Sequence, residues 1–263
     1  MVSTGQLSIS VSIVLFKTPI SEIETLIEDF LQQGVTKIFV IDNSPASFNT
    51  FGDTPSSEFV EQVRVGENLG YGRAHNLAIA RSVDRFKYHI ICNPDIGLAS
   101  SLVATLTEYM ETHLDVGLCM PRLIGTDGLE QYCCRRSPVL WDYVSQLILP
   151  KSWGPRRKHL LEMRDCDYAQ TMEVECLSGC FMMFRSSVLR ELGGFDKRFF
   201  MYFEDFDLSM RAKRIARNVY LPLTYAVHQR RSEHRRSLRL RIAFTTSALR
   251  YFARWGMFWK RSV

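Results

Sequence analysis

Hydrophobic positions along this chain recur at two alternating spacings. LSISVSIVLF, residues 7–16, is a dense run rich in β-branched side chains and predicts a strand. In SEIETLIEDFLQQG, residues 21–34, Ile23, Leu26, Ile27, Phe30 and Leu31 fall at helical spacing. Ser21 is placed to cap that helix and Gly34 to stop it. Strand-like KIFVID (37–42) and VRVG (63–66) follow, then a helical RAHNLAIARSV (73–83). YHIICNPD (88–95) predicts a further strand and SLVATLTEYMETH (101–113) a further helix. This rhythm predicts an α/β fold with a mostly parallel central sheet flanked by helices. Residues 125–172 are mixed, with three prolines and the basic pairs Arg135-Arg136 and Arg156-Arg157. ECLSGCFMMFR (175–185) and SSVLREL (186–192) restore the strand–helix pattern.

Two predicted strands end in polar residues, Asp42-Asn43 and Asn93-Pro94-Asp95. Either alone reads as a turn or a helix cap. Together they mark one edge of the sheet, where such folds bind ligands. GENLGYGRAHN (66–76) runs between them, and its glycines are expected to let the backbone approach a ligand. It lacks the Lys and Ser/Thr of a P-loop, and GxGxxG is absent, which argues against an ATPase or a dinucleotide-dependent dehydrogenase.

FFMYFEDFDLSMR (199–211) sets Glu204, Asp205 and Asp207 among aromatic and aliphatic neighbours. A buried carboxylate is costly unless paired, bound to metal or used in chemistry. Acids at a helix start are also favoured by its dipole. Asp207 and Arg211 lie four apart and fit a structural ion pair.

Composition adds bounds. The 263 residues suit one large domain, and 46% hydrophobic content fills a core. Seven cysteines lack zinc spacing and are expected to be reduced thiols. No apolar run is long enough to cross a bilayer, and the first residues show no signal-peptide pattern, so a cytoplasmic chain is expected. Charge is uneven. From Arg230 on there are ten Lys/Arg and one acid; earlier residues carry 23 basic and 27 acidic side chains, a net of −4. The basic tail, residues 229–263, reads as an amphipathic helical extension with Leu240, Phe244, Tyr251, Trp255 and Phe258 on its apolar positions. Contact with the inner face of the cytoplasmic membrane is one expectation. Packing on the acidic body, or on a second subunit in a homodimer, is the other.

SIVLF, VIDNS, ENLGYGRAHN, NPD, SGCFMMFR and GGFDKRFFMYFEDFDLSMR occur in the order found in glycosyltransferase family 2. From about Ser8 to His228 the sequence resembles that family, and most of all its bacterial rhamnosyltransferase branch, which builds O-antigen and other surface polysaccharides. The resemblance implies a GT-A fold over residues 1–228, with a nucleotide-sugar half (1–124, Rossmann-like) and an acceptor and catalytic half (125–228). It implies inverting transfer from a nucleotide-diphospho-sugar, dTDP-L-rhamnose or a UDP-sugar, onto a polyprenyl-diphosphate-linked saccharide, with Mg2+ or Mn2+ as cofactor. By the same matching, Phe16, Asp42, Asn68, Gly70, Gly72, Arg73, Asn76, Asn93 and Asp95 would bind donor, and Asp95 and His228 the metal. Asp205 would be the base, supported by Glu204. Arg135, Arg136 and Gly179 would face the acceptor, although a solvated basic loop is an equal reading of the arginine pair. Asn93 stands where the family's DXD metal motif begins, so one carboxylate is missing and the metal should bind weakly without donor. Three alternatives stand beside this. One is a UDP-hexose transferase of the same fold. Another is a nucleotidyltransferase, whose basic Gly-rich signature is absent after the first strand. The third is a nucleic-acid-binding protein, for which the tail holds no recognised module.

Overall fold

The computed structural model describes residues 8–51, 56–140, 142, 154–229 and 238–256. Strands β1 (Ile9–Leu15), β2 (Lys37–Asp42), β3 (Val60–Arg64) and β4 (Tyr88–Cys92) are all parallel, in the spatial order β3-β2-β1-β4. Helices α1 (Glu24–Gln32), α2 (Tyr71–Ser82) and α3 (Leu102–Thr112) follow β1, β3 and the short β5 (Ile96–Leu98). β1 and β4 are almost wholly buried, as strands covered on both faces must be.

The second half extends the same sheet. β6 (Val116–Ile124), β10 (Phe181–Arg185) and β11 (Arg217–His228) complete the order β4-β10-β6-β11-β5. β10 runs antiparallel to both β4 and β6, while β11 is parallel to β6. Short β7 (Cys134–Arg135) pairs with β9 (Cys176–Leu177), and β8 (Met172–Glu173) pairs with β11. Helices α4 (Gly154–Leu161), α5 (Ser186–Leu192), α6 (Glu204–Ala212) and α7 (Leu238–Trp255) complete the described elements.

Local expectations held with one correction. Gly34, at φ +83, stops α1 as expected. Ser21 does not cap it: residues 20–23 form a 3-10 turn after Pro19, and α1 begins at Glu24. The thiols are free and mostly buried. Gly193 and Gly194 both take positive φ and make the tight turn after α5.

The tail helix lies against the body. Tyr251, Phe252 and Trp255 pack with Phe199, Phe203 and Met210. Ser247 donates to the carbonyl of Met201 (2.8 Å), and Ser137 and Tyr251 share a hydrogen bond of 2.9 Å. Phe258 and the other tail residues at 230–237 and 257–263 lie outside the described residues, as do residues 1–7.

Candidate active site

The carboxyl ends of the parallel strands gather the predicted donor residues. Asp42 closes β2 and is 5% exposed. Its Oδ1 accepts from the Ser44 amide (3.0 Å) and the Thr50 hydroxyl (2.6 Å). Phe16 stands just past β1, exposed, with the neighbouring Lys17 amide tied to Ser44 Oγ at 2.8 Å. Asn43, placed on the ligand edge from sequence but given no role there, clasps the loop opposite. Its Oδ1 accepts from the Leu69 amide (2.8 Å), and its Nδ2 donates to Asn68 Oδ1 (3.1 Å).

Two glycines of that loop, Gly70 and Gly72, lie close against other parts of the chain. A Cβ on Gly70 would fall 2.0 Å from the Phe200 carbonyl oxygen, and one on Gly72 would fall 2.8 Å from the Phe195 side chain. Gly70 also sits at φ +88, where only glycine is unstrained. The close approach expected of a ligand is made by the chain at 195–200. Asn76 completes this clamp: its amide donates to the Phe195 carbonyl and accepts from the Phe195 amide, both at 2.8 Å. Arg73, on the first turn of α2, is exposed. His75, beside it, is fully buried and hydrogen-bonded to Ser12 at 2.8 Å, and burial lowers its pKa well below the ordinary histidine value.

Asp95 and His228 meet because β5 and β11 pair. Ile96 lies opposite His228, and the Gln229 amide donates to the Asp95 carbonyl at 2.9 Å. His228 Nε2 then stands 3.4 Å from Asp95 Oδ1, each side chain 12% exposed. Asp95 Oδ1 is buried and accepts no hydrogen bond. A buried carboxylate oxygen with no donor, facing an imidazole nitrogen, suits a divalent cation. Among the described residues no group of three His, Cys, Asp or Glu side chains gathers. A cation here would complete its shell with oxygens from a bound diphosphate.

The predicted base, Asp205 at the start of α6, is tied to a residue that precedes the neighbouring strand. β10 pairs with β4 so that the Asn93 amide donates to the Cys180 carbonyl at 2.9 Å. Gly179, one residue earlier, donates its amide to Asp205 Oδ2 at 3.0 Å. Its carbonyl accepts from the Tyr71 hydroxyl at 2.5 Å. The Gly179 peptide therefore links donor loop and base, and a Cβ there would press on the Tyr71 ring (3.2 Å) and Asp205 Cβ (3.3 Å). Burial raises the Asp205 pKa; the Gly179 and Phe206 amides and the charge of Arg135 oppose that rise. Tyr202 (φ 69) and Phe203 (φ 66) precede the helix, both left-handed without being glycine. Such strain costs on the order of 1–3 kcal/mol per residue and gathers at functional sites. It turns α6 so that Glu204 and Asp205 open its first turn.

Arg135 and Arg136 part company. Arg135 adds charge near Asp205 and pairs with Glu162 at 3.3 Å. Arg136 forms a bidentate pair with Asp165, both bonds 2.7 Å. Successive side chains of an extended segment face opposite ways, so the two do not act as a unit. Asp207 forms the expected pair with Arg211 (2.8 Å) and also takes bonds from Arg254 and Trp255 Nε1, both 3.0 Å.

The sheet order, the helix placement and the acid-bearing α6 are those of the GT-A glycosyltransferase fold. Solved structures over nearly the whole chain share it. GalNAc-T7 with UDP, GalNAc and Mn2+ matches 95% of this chain and 48% of its own, with TM-score 0.65 and 15% identity. The mannosyltransferase PcManGT of Pyrobaculum calidifontis, in complex with GDP-Man and Mn2+, matches 98% and 66%, with TM-score 0.60 and 15% identity. In sequence the chain is 29% identical over 178 residues to the rhamnosyltransferase WbbL of Escherichia coli strain K12, covering 65% of this chain and 64% of that protein. It is 28% identical over 183 residues to the N-acetylglucosaminyl-diphospho-decaprenol L-rhamnosyltransferase of Mycobacterium tuberculosis, covering 65% and 59%. This chain is thus similar to these relatives in sequence and to glycosyltransferases in fold, as the resemblance to family 2 implies. It spans only 59% to 64% of their lengths. No protein-family profile matches it.

Proposed function

We propose that this chain is an inverting, metal-dependent glycosyltransferase that moves L-rhamnose from dTDP-L-rhamnose onto a polyprenyl-diphosphate-linked saccharide. The observation that carries the reading is the β10–β4 pairing. It sets the Gly179 peptide, and with it Asp205, beside the strand end that bears Asn93 and Asp95. Asp42, Phe16 and the clasped loop 66–76 form the donor side. Asp95 and His228 would hold Mg2+ or Mn2+, which would supply a Lewis acid for the leaving diphosphate. Asp205 takes the proton from the attacking acceptor hydroxyl. Burial that raises its pKa makes it a stronger base, and such a carboxylate contributes about 10²–10⁴-fold in rate. The sugar choice and the lipid-linked acceptor are supported by the rhamnosyltransferase relatives.

Among the described residues no helix is long and apolar enough to cross a membrane. Peripheral contact at the inner face of the cytoplasmic membrane is supported by the outer face of α7. Leu238, Ile242 and Leu249 share it, 72%, 56% and 63% exposed, with Arg239, Arg241 and Arg250 on its flanks. Apolar and cationic side chains together suit an anionic leaflet.

A thermal-shift series of nucleotide sugars, with and without Mn2+, on wild type and Asp95→Ala tests the reading. Stabilisation by dTDP-L-rhamnose that needs both Mn2+ and Asp95 is expected. Stabilisation by a UDP-sugar alone would keep the metal site and replace the rhamnose assignment.

A further inference from the structure

His228 reaches the candidate metal site through strand pairing, but a different residue decides which of its nitrogens carries the hydrogen. Gln131 donates its side-chain amide to the main-chain carbonyl of His228 at 2.8 Å. A carbonyl oxygen only accepts, so the amide nitrogen must be the end that faces it. The amide oxygen then faces His228 Nδ1, at 2.9 Å. That oxygen also only accepts, so Nδ1 must carry a hydrogen. In the neutral ring the acceptor lone pair then lies on Nε2. Nε2 is the nitrogen that stands 3.4 Å from the unbonded Asp95 Oδ1.

We propose that Gln131 is a positioning residue of the metal site, which locks His228 in the Nδ1–H tautomer and aims Nε2 at the cation shared with Asp95. The role rests on the metal reading given above. Gln131 is itself well anchored. Its main-chain N–H donates to the Leu123 carbonyl at 2.9 Å, and the turn before it is closed by the Gly125 main-chain N–H on the Leu129 carbonyl at 2.8 Å.

Gln131→Met keeps the side-chain length and removes both hydrogen bonds. Mn2+ binding is read by electron paramagnetic resonance in the presence of UDP and, separately, dTDP. Loss of a histidine's outer partner typically weakens metal binding about 10–100-fold, and that loss is expected here. Gln131→Met combined with His228→Ala should bind no more weakly than His228→Ala alone, because Gln131 acts through the ring. Nitrogen-15 NMR of the ring, assigned by its disappearance in His228→Ala, should show Nδ1–H in the wild type and mixed tautomers in Gln131→Met. If Gln131→Met does not fold, Gln131→Asn takes its place, since its shorter amide cannot reach both atoms. Wild-type Mn2+ affinity in a folded variant, additive losses in the double variant, or an Nε2–H ring in the wild type would overturn the role. A wild type that keeps Nδ1–H yet binds no Mn2+ with either nucleotide would overturn the metal reading itself, and the role with it.

Discussion

One short helix, α6, serves two regions of the molecule and treats its acids differently in each. Asp205 faces the candidate site, where neutral backbone amides from Gly179 and Phe206 hold it and burial raises its pKa. Two residues on, Asp207 faces the seam with α7, fully buried, and takes bonds from Arg211, Arg254 and Trp255. The first carboxylate keeps the capacity to accept a proton. The second is neutralised by cations and ties the tail helix to the body. Burial alone does not mark a functional acid; the charge of its partners separates the two roles.

The largest expected effect breaks this comparison at Asp205. Asp205→Asn should lower kcat for sugar transfer by about 10²–10⁴-fold while donor-induced thermal stabilisation persists. Full activity in that variant would remove the base assignment. The substitution should also stabilise the fold near neutral pH. Because the Asp205 pKa is raised on folding, the folded chain holds that proton more tightly than the unfolded chain. Its contribution to stability therefore declines as pH rises from the unfolded value through the raised one, and a neutral Asn removes that cost. Wild-type activity should fall as pH drops through the same raised value.

Asp207→Asn should do the reverse. It leaves Arg211 and Arg254 facing an uncharged amide, and breaking a buried ion pair costs about 3 kcal/mol or more. In a chain of this size each kcal/mol lowers Tm by roughly 2–4 °C. Opposite shifts in Tm from the same substitution two residues apart, read in one calorimetric series, would confirm the division. Equal shifts would erase it.

Gly179→Ala is a smaller perturbation that sharpens the site side. The added methyl would sit 3.2 Å from the Tyr71 ring and 3.3 Å from Asp205 Cβ, a tight fit that pushes the base out of line. A loss on the order of tenfold in kcat is expected, with little change in KM for donor, since misplacement by a fraction of an ångström already costs rate. Unchanged kcat would show that the peptide linking Tyr71 to Asp205 does not set the geometry of the base.

The sequence made some of this division legible. The polar segments of Asp42 and Asp95 could be placed on one edge because each stands at the end of a strand in an alternating strand–helix pattern, and β2, β1 and β4 are indeed parallel neighbours in the sheet. The Asp207–Arg211 pair follows from helical spacing alone. Arg254 and Trp255, which complete that pair, lie more than forty residues away and carry no local signal. Gly70 and Gly72 show a different limit. Pattern could say that something comes close to the backbone there, but whether ligand or protein was fixed by the loop at 195–200, a tertiary neighbour. Gln131 was passed over, and Asn43 was placed on the ligand edge without a role, for a related reason. An uncharged amide gains meaning only from the two groups that it bridges.

The seam also leaves a question on its far side. Asp207 and its aromatic neighbours hold the inner face of α7, so the helix stays in place whatever its outer face does. Leu238, Ile242 and Leu249 therefore test the membrane contact with the fold unchanged. Ile242→Glu adds a negative charge to an exposed apolar strip and leaves the Tyr251, Phe252 and Trp255 cluster on the inner face untouched. Sedimentation with anionic vesicles should fall by roughly fivefold, equivalent to about 1 kcal/mol of lost interfacial attraction. Tm and transfer to a soluble acceptor analogue should stay as in the wild type. Equal vesicle binding by wild type and Ile242→Glu would leave α7 with only its inner face at work, as a strap whose purpose is to hold the helix that carries the base.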